Sequence, residues 1–113
     1  MTPVPPPNAA IAELSASLGE DSARELVEMF LGNFPTVLAE LNSGDREQRR
    51  RAAHSLKSSS HIVGAERLSG RMAELEARLT LPSGAVTHED VTGTIEEFER
   101  IAIALRAYAR QGA

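Results

Sequence analysis

The chain has 113 residues, 42% of them hydrophobic, with three Phe, one Tyr, no Trp, no Cys and a formal net charge of -4. A chain of this length buries roughly two-thirds of its unfolded surface in one core, here an aliphatic one; without cysteine it has neither disulfides nor thiolate metal sites. The net negative charge gives no overall pull toward nucleic acid or an anionic membrane, and no apolar run nears the roughly 20 residues of a membrane span. The N-terminus has neither the basic start nor the apolar centre of a signal peptide, so the expectation is a soluble, cytoplasmic protein that acts on other proteins.

Pro3, Pro5, Pro6 and Pro7 withhold backbone donors and favour extended conformations, so residues 1–7 read as a flexible lead and 8–113 as the folded domain. Ile11, Leu14 and Leu18 recur at helical spacing before Gly19, which predicts a short first helix. A longer amphipathic stretch over residues 20–42 keeps Leu26, Phe30, Phe34, Val37, Leu38 and Leu41 on one face. Pro35 lies inside it, and because the apolar period survives across the proline, a kink near Asn33 is expected rather than a break.

Asn42-Ser43-Gly44 reads as a turn, with Asp45 as N-cap of a third helix that runs to about Val63 and stops at Gly64. Leu68, Met72, Leu75 and Leu79 mark a fourth helix over residues 66–79, ended by Leu81-Pro82-Ser83-Gly84. Thr87 or His88 leads into a last helix over residues 89–110, with Val91, Ile95, Phe98, Ala102 and Leu105 inward and Ile101 and Tyr108 widening the face. Short turns between helices of this length favour antiparallel neighbours. The predicted fold is all-α: an antiparallel up-and-down four-helix bundle with an additional short N-terminal helix, most simply a monomer.

The third helix carries the chemistry. At about 100° per residue, His54 shares a side with Arg50, Arg51, Lys57, Ser58 and His61, while Ala52, Leu56, Ser59 and Val63 face the other way. Small residues at Ala52, Ala53, Ser59 and Ser60 let a neighbouring helix approach closely and hold the segment rigid. A neutral imidazole offers a nitrogen lone pair for attack on phosphorus, and a lysine one turn away neutralises part of the charge the phosphoryl group brings. Because phosphoryl transfer depends mostly on alignment and charge stabilisation, such a pair needs no nucleotide pocket of its own. Arg46, Arg49, Arg50 and Arg51 read by default as a solvated face, with Arg50 and Arg51 placed on the His54 side to meet an acidic partner.

Other chemistries fail on spacing. His54 and His61 stand about 10.5 Å apart along the helix axis, too far to share a metal ion directly. Lys57-Ser58 lacks the glycine framework of a phosphate loop, and no serine is paired with a base.

The run Ala53-His54-Ser55-Leu56-Lys57-Ser58-Ser59-Ser60, followed by Val63-Gly64-Ala65 and Leu68, resembles the signature of histidine-containing phosphotransfer (HPt) domains of two-component phosphorelays. The helix pattern fits that family over residues 8–110. The resemblance implies that His54 takes a phosphoryl group from a receiver-domain aspartate and passes it to another, without kinase activity of its own. Lys57 would stabilise the phosphoryl group, and Ser58, His61, Arg50 and Arg51 would meet the receiver. It implies no cofactor in this chain, Mg2+ on the partner receiver domain, and response-regulator receivers and a hybrid histidine kinase as candidate partners. Ser58 stands where the family often has Gly, and His61 where Asn is frequent. Serine is small enough to leave access open and adds a hydroxyl donor. The alternative is a helical interaction module with a degenerate acceptor motif, in which the bundle only docks a partner.

Overall fold

Side-chain caps and two glycines of positive φ mark where the backbone changes course. The computed structural model of the chain describes residues 4–110, which hold five helices and no strand. The first, α1 (Ala9–Leu18), starts at Asn8, whose side chain accepts from the Ile11 N–H at 2.9 Å, and stops at Gly19, φ 91°. The second, α2 (Glu20–Ser43), follows at once and runs unbroken through Pro35, as the continuous apolar period predicts.

A reciprocal capping box starts α3 (Arg46–Ile62): the Asp45 carboxylate accepts from the Gln48 N–H at 2.9 Å while the Gln48 side chain accepts from the Asp45 N–H at 2.8 Å. After a three-residue corner comes α4 (Glu66–Leu79). Thr87 and Asp90 form a second capping box at the start of α5 (His88–Ala109). The Asp90 carboxylate also accepts from Arg78 at 2.5 Å, tying α4 to α5.

The helices close a ring: α2 packs on α3 and α5, α3 on α4, and α4 on α5, with α1 laid against α2. Inside it lie Phe30, Phe34 and Leu41 from α2, Leu56 from α3, Leu68, Met72, Leu75 and Leu79 from α4, and Phe98, Ala102, Leu105 and Tyr108 from α5. All three phenylalanines meet: Phe34 stacks on Phe98 at 3.6 Å between centroids, and Phe30 approaches the same ring at 5.9 Å.

Several expected core positions fall at the margin. Leu18 is 54% exposed, because α1 ends there and Gly19 turns the chain before the residue can reach the core. Leu26 and Val37 are half-buried and border a groove between α2 and α3, and Ile95 lies half-buried beside α2. Of the expected lead, residues 1–3 fall outside the described residues and 4–7 adopt neither helix nor strand; residues 111–113 of the expected domain also lie outside.

The corner after α3 needs a glycine. Gly64 has φ 79°, and the Asn8 side-chain amide occupies the space a Cβ would take. Asn8 also donates to the Val63 carbonyl at 2.9 Å, so one residue caps α1 and ties it to the end of the His54 helix.

Candidate functional site

His54 lies in the middle of α3, between the capping box at one end and the Gly64 corner at the other. Its small neighbours do the packing: Ala52, Ala53 and Ser60 are buried, and Leu56 anchors the same side in the core. Ser59, expected among them, is half-buried and lines the α2–α3 groove instead. Across α3, Ser69 of α4 is buried and donates to the Lys57 carbonyl at 2.9 Å, which holds the two helices close beside the site. His61 meets Glu66, Lys57 meets Ser69 and His54 meets Glu76, so α4 returns along α3 in the opposite direction.

With this framework behind it, the His54 side chain is 60% exposed, as its place on the polar side predicts. Its Nδ1 lies 2.6 Å from Glu76 Oε2, and Lys57 Nζ lies 2.5 Å from Glu76 Oε1. One carboxylate from α4 thus joins the two side chains that the sequence places together on α3. Glu76 itself is only 16% exposed, rooted between the buried Leu75 and the buried Leu79. The hydrogen bond from Lys57 holds the Glu76 carboxyl below its ordinary value, with the His54 contact adding to it against the opposing effect of burial. An ionised carboxylate only accepts hydrogen bonds, so the His54 proton sits on Nδ1 and, in the neutral ring, the lone pair sits on Nε2.

The other sequence-predicted residues divide by role. Ser58 and His61 are exposed on the His54 side, with His61 Nδ1 at 3.1 Å from Glu66. Arg50 pairs with Glu47 at 2.7 Å, and Arg51 is exposed. Arg46 is exposed, as the expected solvated face requires, and Arg49 is half-buried; both also reach backbone carbonyls. Arg46 donates to the carbonyls of Gly84 at 2.8 Å and Leu79 at 3.0 Å, and Arg49 to that of Asn42 at 3.0 Å. They secure the end of α4 and the turn before α3, which leaves Arg50 and Arg51 as the arginines beside the histidine.

The opposite flank of α3 is apolar. A groove of about 300 Å³ between α2 and α3 is lined by Met29, Phe30, Val37, Ser55, Ser59 and Ile62, with Met29 and Ile62 well exposed at its rim. His54 therefore stands on a ridge, with a charged wall from α4 on one side and an apolar trough on the other. Among the described residues no group of His, Asp and Glu gathers as metal ligands, and no helix is long and apolar enough to cross a membrane.

Glu76 has no signature in the sequence, because its place depends on the register of α4 against α3 across 22 residues. Its one local signal is an acidic residue at the edge of the Leu68-Met72-Leu75-Leu79 stripe, where a side chain reaches around a helix interface.

The Hpt domain family model matches residues 25–110, a span that begins within α2 and contains His54, Lys57 and Glu76. Comparison with curated proteins and with solved structures gave no match.

Proposed function

The chain belongs to the Hpt domain family, the histidine phosphotransfer modules of two-component phosphorelays, and from that premise we propose that His54 is the residue that accepts and passes on the phosphoryl group. The observation that carries this reading is the exposed imidazole whose Nδ1 lies against a carboxylate, so that Nε2 is the nitrogen left without that partner. In transfer from a receiver, the Nε2 lone pair forms a bond to phosphorus as the bond between phosphorus and the aspartyl oxygen breaks. The departing pair stays on the aspartate carboxylate. The reverse reaction on a second receiver returns the histidine to its starting state, so the protein serves as a carrier without kinase activity of its own. Mg2+ belongs to the receiver in this reading, and the chain supplies the nucleophile and its surroundings.

The same reading extends to the fold and the partners. The short connections, and the opposed α3–α4 contacts, support an antiparallel up-and-down bundle with α1 as an addition to it. A receiver seats over the His54 ridge, touching Ser58 and His61, with Arg50 and Arg51 toward its acidic pocket and the α2–α3 groove on the far flank. The donor is a phosphorylated receiver, free or part of a hybrid kinase, and the bundle acts as a monomer in the cytoplasm.

Lys57 supplies charge compensation. Its ammonium lies one turn from His54 and is 33% exposed, free to swing from Glu76 to phosphoryl oxygens. Lys57→Ala is expected to slow transfer or shorten the phosphohistidine lifetime by about five- to thirty-fold, the equivalent of about 1–2 kcal/mol for a partly exposed charged contact. Unchanged rate and lifetime would return Lys57 to a purely structural pairing with Glu76.

Ser58 tests access. The side chain is exposed one turn beyond His54, so Ser58→Gly should retain transfer, whereas Ser58→Phe should block a receiver without unfolding the bundle. Phosphoramidate, a small donor that needs no docking, is the control: Ser58→Phe should still accept from it. Equal rates from a phosphorylated receiver in the two variants would place the docking surface elsewhere, and equal loss with both donors would locate the damage at His54.

A further inference from the structure

Among the described residues the most exposed large apolar side chain is Ile103 of α5, at 76%. It stands at the rim of a groove of about 440 Å³ walled by Phe34, Pro35 and Leu38 from α2 and Ile95 and Phe98 from α5. In the ring of helices the α2–α5 side lies across from the α3–α4 side that carries His54, so the carrier reading leaves this surface unused. Glu99 and Arg106 border the same groove, four residues before Ile103 and three after it. Both are exposed, and among the described residues neither has an ion-pair partner.

We propose that this surface joins two copies of the chain back to back, about a two-fold axis near Ile103 with the α5 helices antiparallel. The proposal goes beyond the carrier reading and does not depend on it. A two-fold axis sets a patch against itself, so the patch must supply both halves of every contact. An antiparallel copy reverses the order acid, isoleucine, base, which brings Glu99 of each copy to Arg106 of the other, the two charges lying about 6 and 4.5 Å from Ile103 along the helix axis. Ile103 of each copy then meets the other's groove, where Leu38 and Ile95 are only half-buried. Net charge makes the choice of surface specific: at -4 per chain two copies repel over most approaches, whereas this patch presents one charge of each sign around an apolar centre. Each bundle keeps a whole site and transfers its phosphoryl group as a monomer does. Because the α3–α4 side lies across each bundle from the contact, the pair turns its two His54 residues outward and offers both to receivers at once. A contact built on one groove belongs with the small, transient interfaces.

Sedimentation equilibrium of the full chain from about 1 µM to about 1 mM tests the pairing. The parent should pass from one bundle to two with a Kd on the order of 100 µM. Ile103→Asp, which puts a charge at the apolar centre, should weaken the pair by about thirty-fold or more. Glu99→Arg and Arg106→Glu should each weaken it by about ten-fold, since each sets like charges against one another at both ends of the contact. Two combinations should restore it to within about three-fold of the parent: the double variant with itself, and the two single variants mixed, which then pair with each other. Circular dichroism and labelling of His54 by phosphoramidate should match the parent throughout, because all three positions are exposed and lie away from the site. A single bundle at every concentration would overturn the proposal. So would a pair that neither Ile103→Asp nor the charge reversals weaken, because the copies would then meet elsewhere, and so would weakening by the single reversals without recovery in the double variant or the mixture.

Discussion

His54→Gln is expected to abolish phosphoryl acceptance while leaving the bundle folded. The side chain is 60% exposed and its hydrogen-bond partner is the Glu76 carboxylate, which a glutamine amide can also donate to; the change in stability should stay within about 0.5 kcal/mol. What disappears is the ring nitrogen, since an amide nitrogen has no free lone pair for phosphorus. The other imidazole on the same helix is His61, which is 72% exposed and pairs with an exposed Glu66. It lies two turns away, where a receiver seated over His54 does not present its aspartate. The check is labelling by a phosphorylated receiver and by phosphoramidate, with circular dichroism to confirm the fold. Parental labelling of the folded variant would move the acceptor elsewhere.

Phe98→Ala is expected to have the opposite profile, a large loss of stability with the chemistry intact. Phe98 is 6% exposed, stacks on Phe34 at an interplanar angle of 6° and approaches Phe30, so it carries the aromatic part of the seam between α2 and α5. Truncating such a side chain costs about 3–5 kcal/mol, because the cavity collapses only in part. The thermal midpoint should fall by on the order of 15 °C. Its ring contacts are with α2, away from Glu76, so labelling by phosphoramidate well below the midpoint should match the parent. A midpoint within about 5 °C of the parent would mean that the α2–α5 seam repacks around the loss, and weakened labelling in the folded state would mean that this seam supports the His54 ridge directly.

Most of the helical layout was legible because its signals are local. Asp45 with Gln48 and Thr87 with Asp90 satisfy backbone donors within one turn, and both caps stand where those residue types predict. The α4 stripe of Leu68, Met72, Leu75 and Leu79 is buried at every position, and the helix has the predicted bounds. Leu18 misled because periodicity describes a face but not where the helix ends, and Gly19 turns the chain at that residue.

The site was half legible. His54, Lys57, Ser58 and the exposed arginines share one helix, so spacing alone brings them together. Glu76, Arg46 and Arg49 escaped that logic. A carboxylate on α4 and carbonyls at Asn42, Leu79 and Gly84 meet these side chains only after packing, through register that no local pattern encodes. A charged residue on a helix surface looks solvated in sequence whether or not a chain end or a second helix lies within its reach.

The central claim is that His54 carries the phosphoryl group between receivers, and a two-step transfer experiment tests it most directly. The protein is incubated with a phosphorylated receiver bearing labelled phosphate, re-isolated, mapped for its labelled residue and then offered an unphosphorylated receiver. The account predicts one label, acid-labile and base-stable, on His54, and its passage to the second receiver with recovery of unmodified protein. Label on another residue, or label on His54 that no receiver can remove, would contradict it.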